Sequence, residues 1–158
     1  MDLKTIQQLQ TDLNELCKLL DLTFVTPSVE IDETQLVKVE LKVSEEGGEN
    51  HLGKLIGNRG ESLLALEFVL ALMVNRGREE WLTVKLDVDG YRHRREDELK
   101  QLALKMADKV KFLHETVELR PMNNVDRKVI HMVLTDMEGV TTESVGEGRD
   151  RRVVIKPQ

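Results

Sequence analysis

The sequence predicts an α+β protein of two small domains, residues 1–89 and 90–158. Three observations carry that expectation. Apolar residues recur at helical spacing in some stretches and alternate at strand spacing in others, and the two patterns are interleaved along the chain. Gly90 is the clearest punctuation, standing between an alternating run and a long charged helical run. The charge changes sign there. Nine Lys and Arg face 17 Asp and Glu before Gly90, net −8, whereas 14 face 12 from Gly90 onward, net +2. With 158 residues, 40% of them hydrophobic, the chain can bury two compact cores without a flexible linker.

Leu3, Ile6, Leu9, Leu13, Leu16 and Leu20 define an opening amphipathic helix that covers whatever lies beneath it. Leu22 to Ile31 and Leu36 to Val43 read as two strands. In the second, Val37, Val39, Leu41 and Val43 alternate with Lys38, Glu40 and Lys42, which leaves one face wet. Ser44 to Asn50 is a polar loop, His51 to Ile56 a short helix, and Gly57 to Gly60 a turn. A helix over Glu61 to Arg76 is expected to bury Leu63, Leu66, Leu70 and Met73. The alternation from Trp81 to Asp89 then gives a third strand.

The second half opens with a helix near Tyr91 whose expected buried stripe is Leu99, Leu102, Met106, Val110 and Leu113. Val117 to Leu119 forms a short strand, and a helix then runs to about Met137 from an Asn123 cap, with Asp126 three residues later as in a capping box. GVTTESVGEGRDRRVVI closes the chain as a hairpin. No internal repeat or low-complexity segment interrupts this order.

Composition excludes several classes. The opening residues lack a signal peptide's basic start and apolar centre. The longest apolar run, Leu63 to Val74, is broken by Glu67 and too short to span a bilayer, so a cytoplasmic protein without a transmembrane segment is expected. Cys17 is alone and reads as a buried structural thiol. His51, His93, His114 and His131 show no metal-ligand spacing, and no serine sits in a nucleophile elbow. Neither catalysis nor a metal or cofactor is expected.

The chemistry is concentrated in two places. Gly57, Asn58, Arg59 and Gly60 lie between two helices, where glycine permits positive φ and close approach of a foreign group. The amides and the following helix N-terminus there suit a phosphate, and Arg59 adds a cation. Lys54 either extends this basic edge or faces water. In the second half, Arg127 and His131 stand four apart, side by side and away from the apolar face expected at Val125, Val129, Ile130, Val133 and Met137. Exposed together, they suit a phosphate gripped by the guanidinium, with the imidazole stacking or hydrogen-bonding. An ordinary solvated face is the alternative. Arg149, Arg151 and Arg152 flank the closing hairpin, and Arg92, Arg94 and Arg95 begin the long helix.

The order helix, strand, strand, helix, GxxG, helix, strand is similar to a type II KH domain, which clamps about four single-stranded nucleotides. GKLIGNRGESLLALEFVLALMVNR, LDVDGYRHRREDELKQLALKMADKV, VELRPMNNVDRKVIHMVL and GVTTESVGEGRDRRVVIKP together resemble the Jag family, SpoIIIJ-associated proteins also called KhpB or EloR. The resemblance covers residues 52 to 157. It implies a type II KH domain (αββααβ) over 1–89 and an R-3-H domain (αβαββ) over 90–158, the latter named for the Arg-x-x-x-His pair matched by Arg127 and His131.

A regulator that binds single-stranded RNA, or single-stranded DNA, is implied, linked to bacterial cell elongation and division and acting with a small KH-only partner, KhpA. The implied contact residues are Lys54, Gly57, Asn58, Arg59, Gly60, Arg127, His131, Arg151 and Arg152. Longer members carry an additional amino-terminal domain, whereas this chain is expected to start at the covering helix. Phe24, Phe68 and Phe112 all fit apolar stripes, so base selectivity should be modest. The competing expectation is an adaptor that holds another protein through its acidic half.

Overall fold

The computed structural model describes residues 3–44 and 49–158. Most of the polar loop expected over 44–50 lies outside the described residues. The chain folds as two compact units that divide between Tyr91 and Arg92.

In the first unit, α1 (Leu3–Leu19) leads to β1 (Val25–Ile31) and β2 (Val37–Val43), then to α2 (Glu49–Ile56), a 3-10 turn (Asn58–Gly60), α3 (Glu61–Asn75) and β3 (Val84–Val88). β1 and β2 pair antiparallel, Val25 opposite Val43 and Ile31 opposite Val37. β3 pairs parallel with β2, Val37 opposite Val84, in the order β1-β2-β3. A parallel neighbour requires a crossover, and α2 and α3 supply it.

The β1–β2 turn is held by the Asp32 carboxylate, which accepts from the Thr34 hydroxyl at 2.6 Å and from the amides of Thr34 and Leu36 at 2.9 and 3.1 Å. The core gathers Leu9, Leu13 and Cys17 from α1, Val37, Val39 and Leu41 from β2, Leu63, Leu70 and Val74 from α3, and Leu86 and Val88 from β3.

Met73 is exposed and Val74 is buried in its place. The sequence could not choose between them, because Leu64, Phe68, Val69 and Leu72 make α3 apolar on nearly every side. At the end of α3, the buried Asn75 accepts from the Leu82 amide at 2.6 Å and donates to the Leu82 carbonyl at 3.0 Å, closing the loop 76–81.

The second unit consists of α4 (Tyr91–Leu113, whose first residue belongs to the first unit), β4 (Val117–Glu118), α5 (Asn124–Leu134), β5 (Val140–Val145) and β6 (Arg152–Pro157). β6 is central, antiparallel to β4 on one side and to β5 on the other. The stripe that α4 buries is Leu99, Ala103, Ala107 and Val110, whereas Leu102 and Leu113 are exposed. Ala103 and Ala107 take the places expected for Leu102 and Met106, so the middle of this face lies about one residue further round the helix. The core is completed by Ile130, Leu134, Val140, Val153 and Ile155.

α5 starts as expected, with Asn123 accepting from the Asp126 amide at 2.9 Å. Its buried line is Asp126, Ile130 and Leu134, while Val125, expected inside, is exposed. A charge occupies the inner position because Arg95 of α4 meets it. Arg95 Nη2 and Nε reach Asp126 Oδ2 at 2.8 and 3.3 Å, and Arg95 Nη1 also meets Glu98 at 3.3 Å. A buried carboxylate is tolerated only with such a partner.

Candidate nucleic-acid interface

Two places carry the expected contact residues. The first is the turn between α2 and α3. Gly57 adopts φ 71° and ψ −172°, a region essentially reserved for glycine, and Gly60 is left-handed at φ 84°. Both glycines answer the needs of the turn itself. A β-carbon on Gly57 would collide with the Ser62 side chain and come within 2.7 Å of the Ser62 amide nitrogen. One on Gly60 would press on the Tyr91 ring at 3.3 Å.

Gly60 is buried, so the expected approach of a ligand across its α-carbon is closed by Tyr91. Two amides of the turn are engaged internally, Gly57 N–H with the Gly53 carbonyl at 2.8 Å and Glu61 N–H with the Asn58 carbonyl. The outward part of the turn is therefore Asn58 and Arg59. Asn58 is exposed. Arg59 is half-buried and left-handed at φ 54°, ψ 34°, an unusual backbone for a residue with a side chain. Lys54, in the last turn of α2, is exposed.

The second place is one flank of α5. Arg127 and His131 were expected to be exposed together, and the structure corrects this: both are half-buried and hydrogen-bonded. Arg127 Nη1 donates to the Met122 carbonyl at 2.7 Å, and the Met122 amide donates to the Arg151 carbonyl at 3.1 Å. This two-step link ties the Arg127 guanidinium, through Met122, to the backbone of Arg151, whose side chain is exposed. A guanidinium has five N–H donors, so the Met122 bond fixes its plane and spends only one.

His131 is clasped from β5. Its Nδ1 lies 2.8 Å from Thr142 Oγ1 and its Nε2 2.8 Å from Ser144 Oγ. Thr142 and Ser144 stand opposite Ile155 and Val153, so they lie on the core face of the sheet at its rim. Burial pushes the imidazole pKa below its usual value, and the Arg127 charge lowers it further. The ring is therefore neutral at pH 7, and its two nitrogens are already occupied. A hydrogen bond from a charged His131 to phosphate is not available here, which leaves the ring face.

Arg152 has an acidic partner within its own sheet. Its Nε lies 2.9 Å from Glu118 Oε2, close enough to pair the charges but without the alignment of a hydrogen bond. Arg152 is thus matched across β4 and β6, and Arg95 is committed to Asp126. Of the hairpin arginines, Arg149 and Arg151 are the exposed ones.

Thr142 and Ser144 were missed by sequence reasoning. The VTTESV alternation marked a strand without saying which helix would lie over it. Among the described residues, no group of three His, Cys, Asp or Glu could hold a metal ion, and no helix is long and apolar enough to cross a membrane.

Residues 97–157 match the R-3-H domain. The RNA-binding protein KhpB of Clostridium symbiosum is 40% identical over 128 residues, covering 81% of this chain and 55% of that protein. The RNA-binding protein KhpB of Bacillus subtilis is 40% identical over 103 residues, 64% of this chain and 50% of that protein. That of Streptococcus pneumoniae is 31% identical over 106 residues, 67% of this chain and 32% of its own length. The chain spans about half the length, or less, of these curated relatives. Arg127, His131, Thr142, Ser144 and Arg151 all fall inside the R-3-H match, and the chain belongs to the KhpB family, also called Jag.

Proposed function

We propose that this protein binds single-stranded RNA, or single-stranded DNA, through the α5 flank, and that it acts as a post-transcriptional regulator linked to cell elongation and division. One observation carries the reading. Arg127 is held by the Met122 carbonyl, itself tied through its amide to the exposed Arg151, with a neutral imidazole packed one helical turn along. Such a surface can hold phosphate through guanidinium donors and offer an aromatic face to a base. Its location in a unit of net +2 supports a local polyanion contact despite the chain's overall −6.

The first unit is read as a type II KH domain and a second, weaker contact. Its element order and mixed sheet support this, and Asn58, Arg59 and Lys54 are the residues that would meet a phosphate. A separate observation favours a protein partner on this unit. Ala65, Phe68, Val69, Leu72 and Met73 form an exposed apolar stripe along α3, with Phe68 64% exposed. Such a stripe marks an interaction surface, and a small KH-only protein like KhpA is the proposed occupant.

Anisotropy of a labelled single-stranded oligonucleotide, titrated at several salt concentrations, tests the main reading. Arg127→Ala should weaken binding about tenfold for every sequence, consistent with loss of a charge-assisted hydrogen bond. It should also make the salt dependence shallower by about 0.7 in log–log slope, the value for one single-strand phosphate. Unchanged affinity and slope in a folded variant would remove the α5 flank from the mechanism.

A further inference from the structure

We propose that Ser144 is a ligand-contacting residue of the α5 surface, its hydroxyl turned toward a phosphate oxygen by a hydrogen-bond relay running from Thr142 through His131. The proposal rests on the nucleic-acid reading above and adds the residue that reading lacks.

A neutral imidazole carries one N–H and one lone pair. The hydroxyls at its two nitrogens, each 2.8 Å away, must therefore play opposite roles. One donates its hydrogen into the ring. The other accepts the ring N–H, and its own hydrogen is then turned away from the ring. Which hydroxyl is released for a ligand depends on the tautomer.

Position within the unit decides between them. Ser144 is next to Val145, which pairs with Arg152 at the hairpin end of β5, whereas Thr142 is two residues further from that end. Arg151 lies at the same hairpin end, and its carbonyl is linked through Met122 to the Arg127 guanidinium. An anion held by Arg127 and Arg151 thus lies nearer Ser144 than Thr142. A hydroxyl facing an anion must offer its hydrogen. Ser144 Oγ then accepts from Nε2–H, and Nδ1 accepts from the Thr142 hydroxyl. The opposite tautomer would turn a Ser144 lone pair toward the phosphate. Thr142 is accordingly a positioning residue that fixes the tautomer, and His131 couples it to Ser144. Linked donors polarise one another, which strengthens the terminal O–H as a donor.

The test uses the full chain and a labelled oligouridine at fixed pH and salt, with Arg127→Ala as reference. Ser144→Ala should weaken binding about fivefold, the loss of one hydroxyl-to-phosphate hydrogen bond. Ser144→Thr keeps a hydroxyl on a strand-compatible side chain and should recover most of the affinity. Long-range proton–nitrogen NMR of the imidazoles should show His131 in the Nε2–H form when RNA is bound, and Thr142→Val should erode that preference. If Arg127→Ala weakens binding while Ser144→Ala does not, or if His131 carries its proton on Nδ1 in the complex, the relay is wrong. If Arg127→Ala and Ser144→Ala both leave affinity unchanged, the α5 surface itself is not the binding site.

Discussion

The turn at Gly57 to Gly60 and the flank of α5 both present cations to solvent, but they are built from different materials. The turn is a backbone device. Its two glycines are required by the packing of Ser62 and Tyr91. The α5 flank is a side-chain device, in which Arg127 is fixed by a carbonyl, His131 by two hydroxyls, and the helix beneath by the Arg95–Asp126 pair. The contrast separates reasons for a residue type that a motif merges. The glycines of a GxxG loop can be explained by the fold alone, whereas no packing need requires a histidine between two hydroxyls at a core rim.

Substitutions can break or sharpen this contrast, and the largest effect should come from beneath the α5 flank. Asp126→Ala leaves the half-buried Arg95 without the buried carboxylate that it meets at 2.8 Å, so unfolding free energy should drop by about 3 kcal/mol. Urea denaturation followed by circular dichroism measures it. A loss under about 1 kcal/mol would mean that the pair contributes little to holding α5.

Next in size is Gly57→Ala, which meets both a clash and a glycine-only backbone and should cost about 2 kcal/mol. The double change Asn58→Asp, Arg59→Asp leaves both glycines in place. It should keep the fold and weaken RNA binding about threefold through charge alone. If the double change unfolds the unit, the turn is a side-chain device after all.

The smallest effect concerns His131. Because its folded-state pKa lies below the unfolded value, the unfolded chain binds more protons in that window, so stability is full above about pH 6.5 and falls as the pH drops. Melting temperature should therefore decline between about pH 7.5 and 5.5 in the parent and less so in His131→Gln. Parallel declines would assign the effect to other groups.

Much of this molecule was legible from local pattern. Alternation located β2, β3 and the closing hairpin, Asn123 marked the start of α5, and the glycine pair marked the turn before α3. The misses share one cause, which is dependence on neighbours distant in sequence. Ala103 and Ala107 give no leucine-like signal, yet they form the inner face of α4. Asp126 looks like a surface capping residue until Arg95, 31 positions earlier, is placed against it. Arg127 and His131 were identified by spacing together with the family resemblance, but their partners Met122, Thr142 and Ser144 appear only once α5 is laid on β5. On α3 only the last position was misplaced, Met73 for Val74, because a helix apolar on nearly all sides does not sharply reveal which side is inward.

The place of β6 at the centre of its sheet has a consequence for synthesis on the ribosome. β4 and β5 touch only through β6, which also supplies Val153 and Ile155 to the core. Translation adds roughly 5–20 residues per second and lets earlier segments fold first. All elements of the first unit precede residue 92 and can assemble early, whereas α5 has no sheet to lie on until residues 152–157 have left the exit tunnel. A nascent or prematurely released chain that already carries Arg127, His131 and Ser144 would therefore lack their arrangement, and grip on RNA by the α5 flank would begin only once translation has passed β6.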